Sequence, residues 1–187
     1  MIEICAVGGY GEVGKNMTAV KIDDEVVIFD MGLHMPNYVK YTEEELGEFV
    51  KINTADLKRV KAIPDDSVIR DWRSKVKAII PSHAHLDHIG AIPYLANNYN
   101  ANIICTPFTA AVIKSILRDE KISLPNKIIS LQANQTFVLS ENIKVEFVHM
   151  THSTPDTVMV ALHTKHGIVL YATDFKLDNA PVLGAKP

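Results

Sequence analysis

The string His83-Ala-His-Leu-Asp-His88 constrains this chain more than any other feature. Four side chains able to bind metal stand in six residues, directly after the apolar run Val76 to Ile80 and a Pro81-Ser82 break. A buried strand hands its end to a loop in this way. Residues i and i+2 of an extended segment point the same way, so His83 and His85 can bind one cation together. The chain then enters Ile89-Gly-Ala-Ile-Pro-Tyr-Leu95, which reads as a helix start. Asp87 and His88 would lie at its entrance, aimed at a second cation. Imidazole with carboxylate suits zinc, with manganese or iron as alternatives. The bland alternative is a polar loop of solvated histidines, and so dense a cluster argues against it.

Two ions need more ligands than these four. His152 follows the alternating strand Ile143 to His149, and Asp174 follows the strand Gly167 to Thr173. Both lie just past strand ends, where sites on a sheet scaffold sit. His152 would complete three histidines around the first ion. Asp174 could bridge both ions, because a carboxylate has two oxygens. His34, His149, His163 and His166 lack a convergent partner and are read as loop, packing or hairpin-turn residues.

Gly9-Tyr-Gly-Glu-Val-Gly14 offers a rival reading. It matches the dinucleotide fingerprint after a strand, with Asp30 near the place of a ribose-binding acid. It also nearly fits a phosphate-binding loop, but Asn16 stands where Ser or Thr is needed. Both motifs require a helix next. Instead the chain continues with Met17 to Ile22, an Asp23-Asp24-Glu25 turn and Val26 to Phe29, which reads as two strands. The glycine string is therefore read as backbone closely approaching the metal centre, or as a plain connecting loop.

The pattern predicts strands at 2–7, 16–22, 26–30, 76–80, 102–105, 127–131, 136–139, 143–149, 157–163 and 168–173. It predicts helices at 43–51, 54–61, 88–98 and 107–119, the last with an inner stripe of Ala111, Val112, Ser115 and Ile116. This mixture suits a layered α/β sandwich. The acidic segment Thr42 to Glu48 reads as a solvated helix face. Hydrophobic residues make up 47% of 187, enough for one substantial core, and no run is long enough to span a membrane. No secretion signal opens the chain, and Cys5 and Cys105 form no C-x-x-C pair. Two reduced, buried thiols and a cytoplasmic protein are expected. The net charge of −3 gives no bulk attraction for a polyanion, so RNA binding would draw on the ions. Lys15 and Lys176 flank the site in sequence and read first as surface lysines.

Four strings, in this order, resemble ribonuclease J, an RNA-degrading branch of the metallo-β-lactamase superfamily. They are Gly8-Gly-Tyr-Gly-Glu-Val-Gly-Lys-Asn-Met17, Ser82 to Pro93, His152-Ser-Thr-Pro-Asp156 and Asp174-Phe-Lys-Leu-Asp178. The metal motif alone is shared by the superfamily; the glycine string and Asp174-Phe-Lys narrow it. The stretch from Met35 to Arg73 resembles the archaeal form. Ala172-Thr173-Asp174 departs from the family's Thr-Gly-Asp.

The resemblance implies the metallo-β-lactamase fold, an αββα four-layer sandwich, with residues 1–187 as the N-terminal part of that domain. A β-CASP insert and the domain's completion, with a last metal-binding His, are expected after Pro187. It implies two divalent ions, Zn2+ with Mn2+ as an alternative. Their ligands would be His83, His85, Asp87, His88, His152 and Asp174, and Asp30 would orient the metal loop from behind. Asp87 and Asp174 would be the catalytic carboxylates in hydrolysis of RNA phosphodiesters. That activity would be 5′-to-3′ exonucleolytic and also endonucleolytic, with 5′-monophosphate RNA preferred and a homodimeric full-length protein. The rivals are a thioesterase or lactonase on the same fold, a non-catalytic metal-bearing module for RNA or protein partners, and the dinucleotide-binding reading.

Overall fold

The computed structural model describes residues 1–45, 52–182 and 184–187. Valine and isoleucine dominate β3 (Glu25–Phe29) and β4 (Val76–Ile80), as in strands buried on both faces. They lie at the centre of a sheet ordered β1-β2-β3-β4-β5-β6. β1 (Ile2–Gly8), β2 (Met17–Ile22) and β3 pair antiparallel. β3, β4, β5 (Asn102–Cys105) and β6 (Ile128–Ser130) run parallel. A second, antiparallel sheet is ordered β10-β9-β8-β7. Its strands are β7 (Thr136–Val138), β8 (Lys144–His149), β9 (Val158–Thr164) and β10 (Gly167–Tyr171).

Period-two alternation divides the side chains between two cores. Val26, Ile28 and Ile79 face the helices together with Met17, Ala19 and Ile103. Val27, Phe29, Ala78 and Ile80 face the second sheet and meet Val145, Phe147, Val158, Val160 and Leu162. Among the described residues the layers are therefore helix, sheet, sheet. The four-layer expectation is met in three, because no described helix covers the outer face of the second sheet, where Val138, Ile168 and Leu170 are exposed.

All ten expected strands form. The helices differ more. Pro107 opens α5 (Pro107–Asp119) as expected, but the buried face is Thr109, Ala110 and Ile113, backed by Val112, Ile116 and Leu117, and Ala111 is exposed. The stripe turns toward the larger side chain of Ile113, which outweighs Ser115 in apolar area. The expected helix at 88–98 is broken into α3 (Leu86–Ile89), α4 (Ile92–Leu95) and a 3-10 turn, Ala96–Asn98. Pro93 cannot donate to the residue four before it. α2 (Thr54–Arg59) follows an Asn53 cap, and α1 (Met35–Lys40) lies outside the expected helices. A single π-helical turn, Tyr41–Glu45, is described where the 43–51 helix was expected. The rest of that helix, and residues 46–48 of the acidic segment, lie outside the described residues.

A 3-10 segment, Asp66–Lys75, lies outside the expected helices. It is held by fully buried Asp66, which accepts hydrogen bonds from Lys58, Arg73 (3.1 Å), Asn98 (2.9 Å) and Tyr99 (2.8 Å). Burial works against its charge, but these donors hold the carboxyl below the usual range. Cys105 is buried, and burial pushes its thiol up to about 12. Cys5 is only half-buried, a correction to the expectation, because edge strand β1 packs less tightly than the sheet centre.

Candidate metal centre

The expected site residues all lie at one end of the two sheets. Asp30 follows β3, and Ser82 to His88 follow β4, so both stand at the carboxyl ends of parallel strands, where open α/β sheets place their sites. His152 follows β8 and Asp174 follows β10 on the second sheet. One backbone link ties the sheets together there, Val158 N donating to Ser82 O at 3.1 Å, and Thr151 bridges Lys176 within the second sheet's own loops.

Three loops interlock behind the site. Asn16 N donates to Asp87 O (3.0 Å), Gly32 N to Asn16 O (3.0 Å), Met31 N to His88 O (2.7 Å) and Leu33 N to Leu86 O (2.9 Å). The glycine string thus reaches the metal loop, as the close-approach reading expects, and it leads into a strand rather than a phosphate-binding helix. A polar cavity of about 260 Å³ lies between this string and Tyr171 to Asp174. A larger cavity, about 460 Å³, opens elsewhere, at Lys77, Asn102 and Asn126 by the amino ends of β4 and β5.

Gly32 makes the interlock possible. A Cβ there would stand 1.5 Å from the Asp87 carbonyl oxygen and 2.8 Å from Asn16 N, and neither backbone atom can turn aside. Gly32→Ala is expected to lower stability by about 3 kcal/mol, the upper part of the overpacking range. It should also reduce bound divalent ion. Denaturant unfolding and metal analysis check this; wild-type values for both would show that the loops do not meet as described.

Asp30 is fully buried and sets the protonation pattern of the site. It accepts from Ser82 N (2.8 Å), the Ser82 hydroxyl (3.0 Å), His88 Nδ1 (2.8 Å) and the Tyr171 hydroxyl (2.7 Å). Tyr171 is aimed by stacking on Phe29, with ring centroids 4.6 Å apart. With its proton given to Asp30, the Ser82 hydroxyl accepts from His83 Nδ1 at 2.9 Å. In their neutral forms His83 and His88 therefore each carry the proton on Nδ1 and turn the Nε2 lone pair outward. Burial alone would raise the Asp30 carboxyl, but His88 and these donors hold it below the usual range. Burial also opposes a charged His88, yet the Asp30 carboxylate keeps that imidazole above its ordinary value.

The free nitrogens converge. His83 Nε2 lies 3.0 Å from His85 Nδ1, and His152 Nε2 lies 3.2 Å from the same atom. His85 Nε2 is 3.2 Å from the Ser153 hydroxyl, which can take its proton. With protons on His83 Nδ1, His85 Nε2 and His152 Nδ1, three lone pairs would face one another. Tetrahedral zinc with nitrogen ligands at 2.0–2.1 Å would place them about 3.3 Å apart, so the set fits such an ion. Burial, and then neighbouring His88, hold His83 down at about 3, so it stays unprotonated. Burial likewise lowers His152, whose Nδ1 is buried without a partner.

Asp174 Oδ2 stands 3.9 Å from His152 Nε2 and 3.6 Å from His88 Nε2, and Asp87 Oδ2 is 3.5 Å from His88 Nε2. Two overlapping groups result, His83-His85-His152-Asp174 and Asp87-His88-Asp174, each with ligand atoms within 4.8 Å of one another. The other histidines lie outside both. His34 caps α1 through Asn37 N, His149 meets Ala185 O, His163 pairs with Glu146, and His166 in the β9–β10 turn meets Asp23. Lys15 is paired with Glu12 at 2.7 Å, and Lys176 joins the Thr151 bridge through its backbone. Sequence reasoning does not single out Tyr171 or Asn16 as members of the site. Tyr171 carries one faint signal, an inward position on β10 three residues before Asp174.

A two-sheet scaffold with this ligand cluster at one end defines a metallo-β-lactamase-type domain. The chain belongs to that superfamily: the family profile described as "Beta-lactamase superfamily domain" matches residues 58–185. The fold is shared with the metallo-β-lactamase fold protein YhfI from Bacillus subtilis, at TM-score 0.56 and 16% identity over 92% of this chain and 62% of that one. More specifically, the chain is similar to ribonuclease J of Methanocaldococcus jannaschii, 44% identical over 187 residues. It is also similar to ribonuclease J of Pyrococcus abyssi, 43% identical over 189 residues. All of this chain aligns in both cases, and it spans 41% of the length of each relative. The fold family implies divalent metal binding, and the clustered His and Asp residues suit it.

Proposed function

We propose that this chain carries the metal centre of a ribonuclease that hydrolyses RNA phosphodiesters with two divalent ions. The observation that carries the reading is the pair of overlapping ligand groups sharing Asp174. Similarity to ribonuclease J along the whole chain supplies the substrate class. On this reading His83, His85 and His152 hold one ion, Asp87 and His88 the other, and Asp174 stands between them. Nitrogen-rich ligation favours Zn2+, with Mn2+ as the alternative. When bound, the ions would lower the pKa of a water toward 7 and offset charge building on the phosphate oxygens.

The chain's own residues prepare that chemistry. Asp30 and Ser82 fix the tautomers of His88 and His83. Burial keeps His83 neutral. Asp87 accepts the proton of the attacking water. Asp174, more than half exposed, faces the side from which a phosphate would approach. With Lys15 tied to Glu12, the ions would supply most of the positive charge at the cleavage point.

The wider reading comes from the resemblance. It comprises 5′-to-3′ exonuclease action with endonuclease capacity, preference for 5′-monophosphate ends, and a homodimer working in the cytoplasm. It also places this chain as the N-terminal part of a domain interrupted by a β-CASP insert. No described helix is long and apolar enough to cross a membrane.

The test is a cleavage time course on 5′-monophosphate RNA, with Zn2+ or Mn2+ and a chelator control. It is run on this chain and on the natural product that contains it. Chelator-sensitive release of mononucleotides is the expected result. Absence of cleavage by both would reject the RNA substrate and leave a small-molecule hydrolase, such as a thioesterase or lactonase, or a non-catalytic metal-bearing module.

A further inference from the structure

We propose that Asn16 is a positioning residue of the metal centre, holding Asp87 in place and occupying the metal-facing nitrogen of His88 until an ion takes it. The inference rests on the reading of Asp87, His88 and Asp174 as a second ion site.

Asn16 ends the glycine string, one residue before β2. Its backbone is fixed independently of its side chain, by Asn16 N to Asp87 O and by Gly32 N to Asn16 O, both at 3.0 Å. The side chain adds a second set of contacts. Nδ2 lies 3.1 Å from the Asp87 carbonyl oxygen, 3.2 Å from Asp87 Oδ2 and 3.1 Å from His88 Nε2. A carboxamide nitrogen has two protons, so three acceptors compete for them. His88 Nδ1 is committed to Asp30, so in the neutral ring Nε2 is a lone pair that accepts from Asn16 or binds an ion.

This count gives two satisfied states. Without an ion, one Asn16 proton covers the His88 lone pair and the other holds Asp87. With an ion on Nε2, both protons remain on Asp87, one on its carbonyl and one on its carboxylate. A donor that can be released in this way keeps the ligands aimed in the absence of metal without blocking its entry. An aspartate at position 16 would have no proton to offer and would repel Asp87.

The orientation of the amide is also built in. Its oxygen end packs against Gly9, where a Cβ would come within 2.4 Å of Asn16 Oδ1, and Gly9 has a φ of +88°. A glycine in the left-handed region thus makes room for the oxygen and leaves the nitrogen facing the ligands.

The experiment is a Co2+ titration of the metal-free wild-type chain and of Asn16→Ala, followed by calorimetry and by the visible absorption of bound Co2+. The expected wild-type result is two binding events. In Asn16→Ala the event at His83, His85 and His152 should stay within about threefold of wild type. The event at Asp87, His88 and Asp174 should weaken 10- to 100-fold, the usual effect of losing a partner that orients a ligand. The unchanged first event doubles as proof that the variant is folded. Equal weakening of both events would mark a structural role and overturn the inference, as would two wild-type events in the variant. A wild-type chain that binds only one ion would overturn the two-ion reading along with it.

Discussion

Replacing Asp30 with alanine is expected to lower the stability of the metal-free chain by about 3–5 kcal/mol, the range for removing one partner of a buried charged network. It should also weaken divalent-ion binding 10- to 100-fold. No metal ligand is removed. The substitution leaves the Ser82 amide, the Ser82 hydroxyl, His88 Nδ1 and the Tyr171 hydroxyl without their acceptor in a fully buried place. It also frees the His88 ring to take the other tautomer and turn its lone pair away from the ion. The pH dependence has a definite sign. The Asp30 carboxyl is held below its ordinary value of 3.8, so its contribution is present above that pH and is lost as pH falls through the folded-state value. The gap between wild type and Asp30→Ala should therefore narrow below about pH 3.8. Denaturant unfolding across pH, with metal analysis, measures both effects. Unchanged stability and ion content would show that Asp30 does not organise the site.

Asp87→Ala should do the opposite, leaving the fold intact while removing chelator-sensitive RNA cleavage. A loss of about 10³-fold or more, about 4 kcal/mol in barrier height, is expected for a carboxylate that both binds an ion and takes the proton. The side chain is partly exposed and bears on no core cluster, and the contacts that fix its loop run through backbone atoms that alanine keeps. The comparison is made in the natural product that shows cleavage, with circular dichroism as the control for folding. A variant that keeps both its metal and its activity would remove Asp87 from the mechanism.

The strands are legible in the sequence because each carries its own signal, alternation or an unbroken β-branched run bounded by turn residues. The ligand loop is legible for the same reason: its chemistry is concentrated in six consecutive residues. The features that escape a sequence reading depend on partners distant along the chain. Asp66 draws Lys58, Arg73, Asn98 and Tyr99 together and holds the 3-10 segment Asp66–Lys75. Tyr171 reaches Asp30 across 141 positions, and only the packing of one sheet on the other brings them into contact. Asn16 resembles a failed phosphate-loop residue because its partner is a loop 71 positions away. The expected stripe of α5 is off by one residue, since Val112, Ile113 and Ile116 permit two nearby faces and only the packed sheet chooses between them.

The division of β3 and β4 between two cores has a consequence for how the centre moves. Their alternate side chains belong to both clusters, so separating either strand from its neighbours disrupts both at once. Amide protons there exchange only when nearly the whole molecule opens. Asp30 and the His83–His88 loop grow from those strands and share their rigidity. Asp174 grows instead from β10, a border strand with one face open to solvent. The centre thus has one wall on doubly buried strands and one on a border strand, and amide exchange is expected to be faster around Asp174 than in the His83–His88 loop.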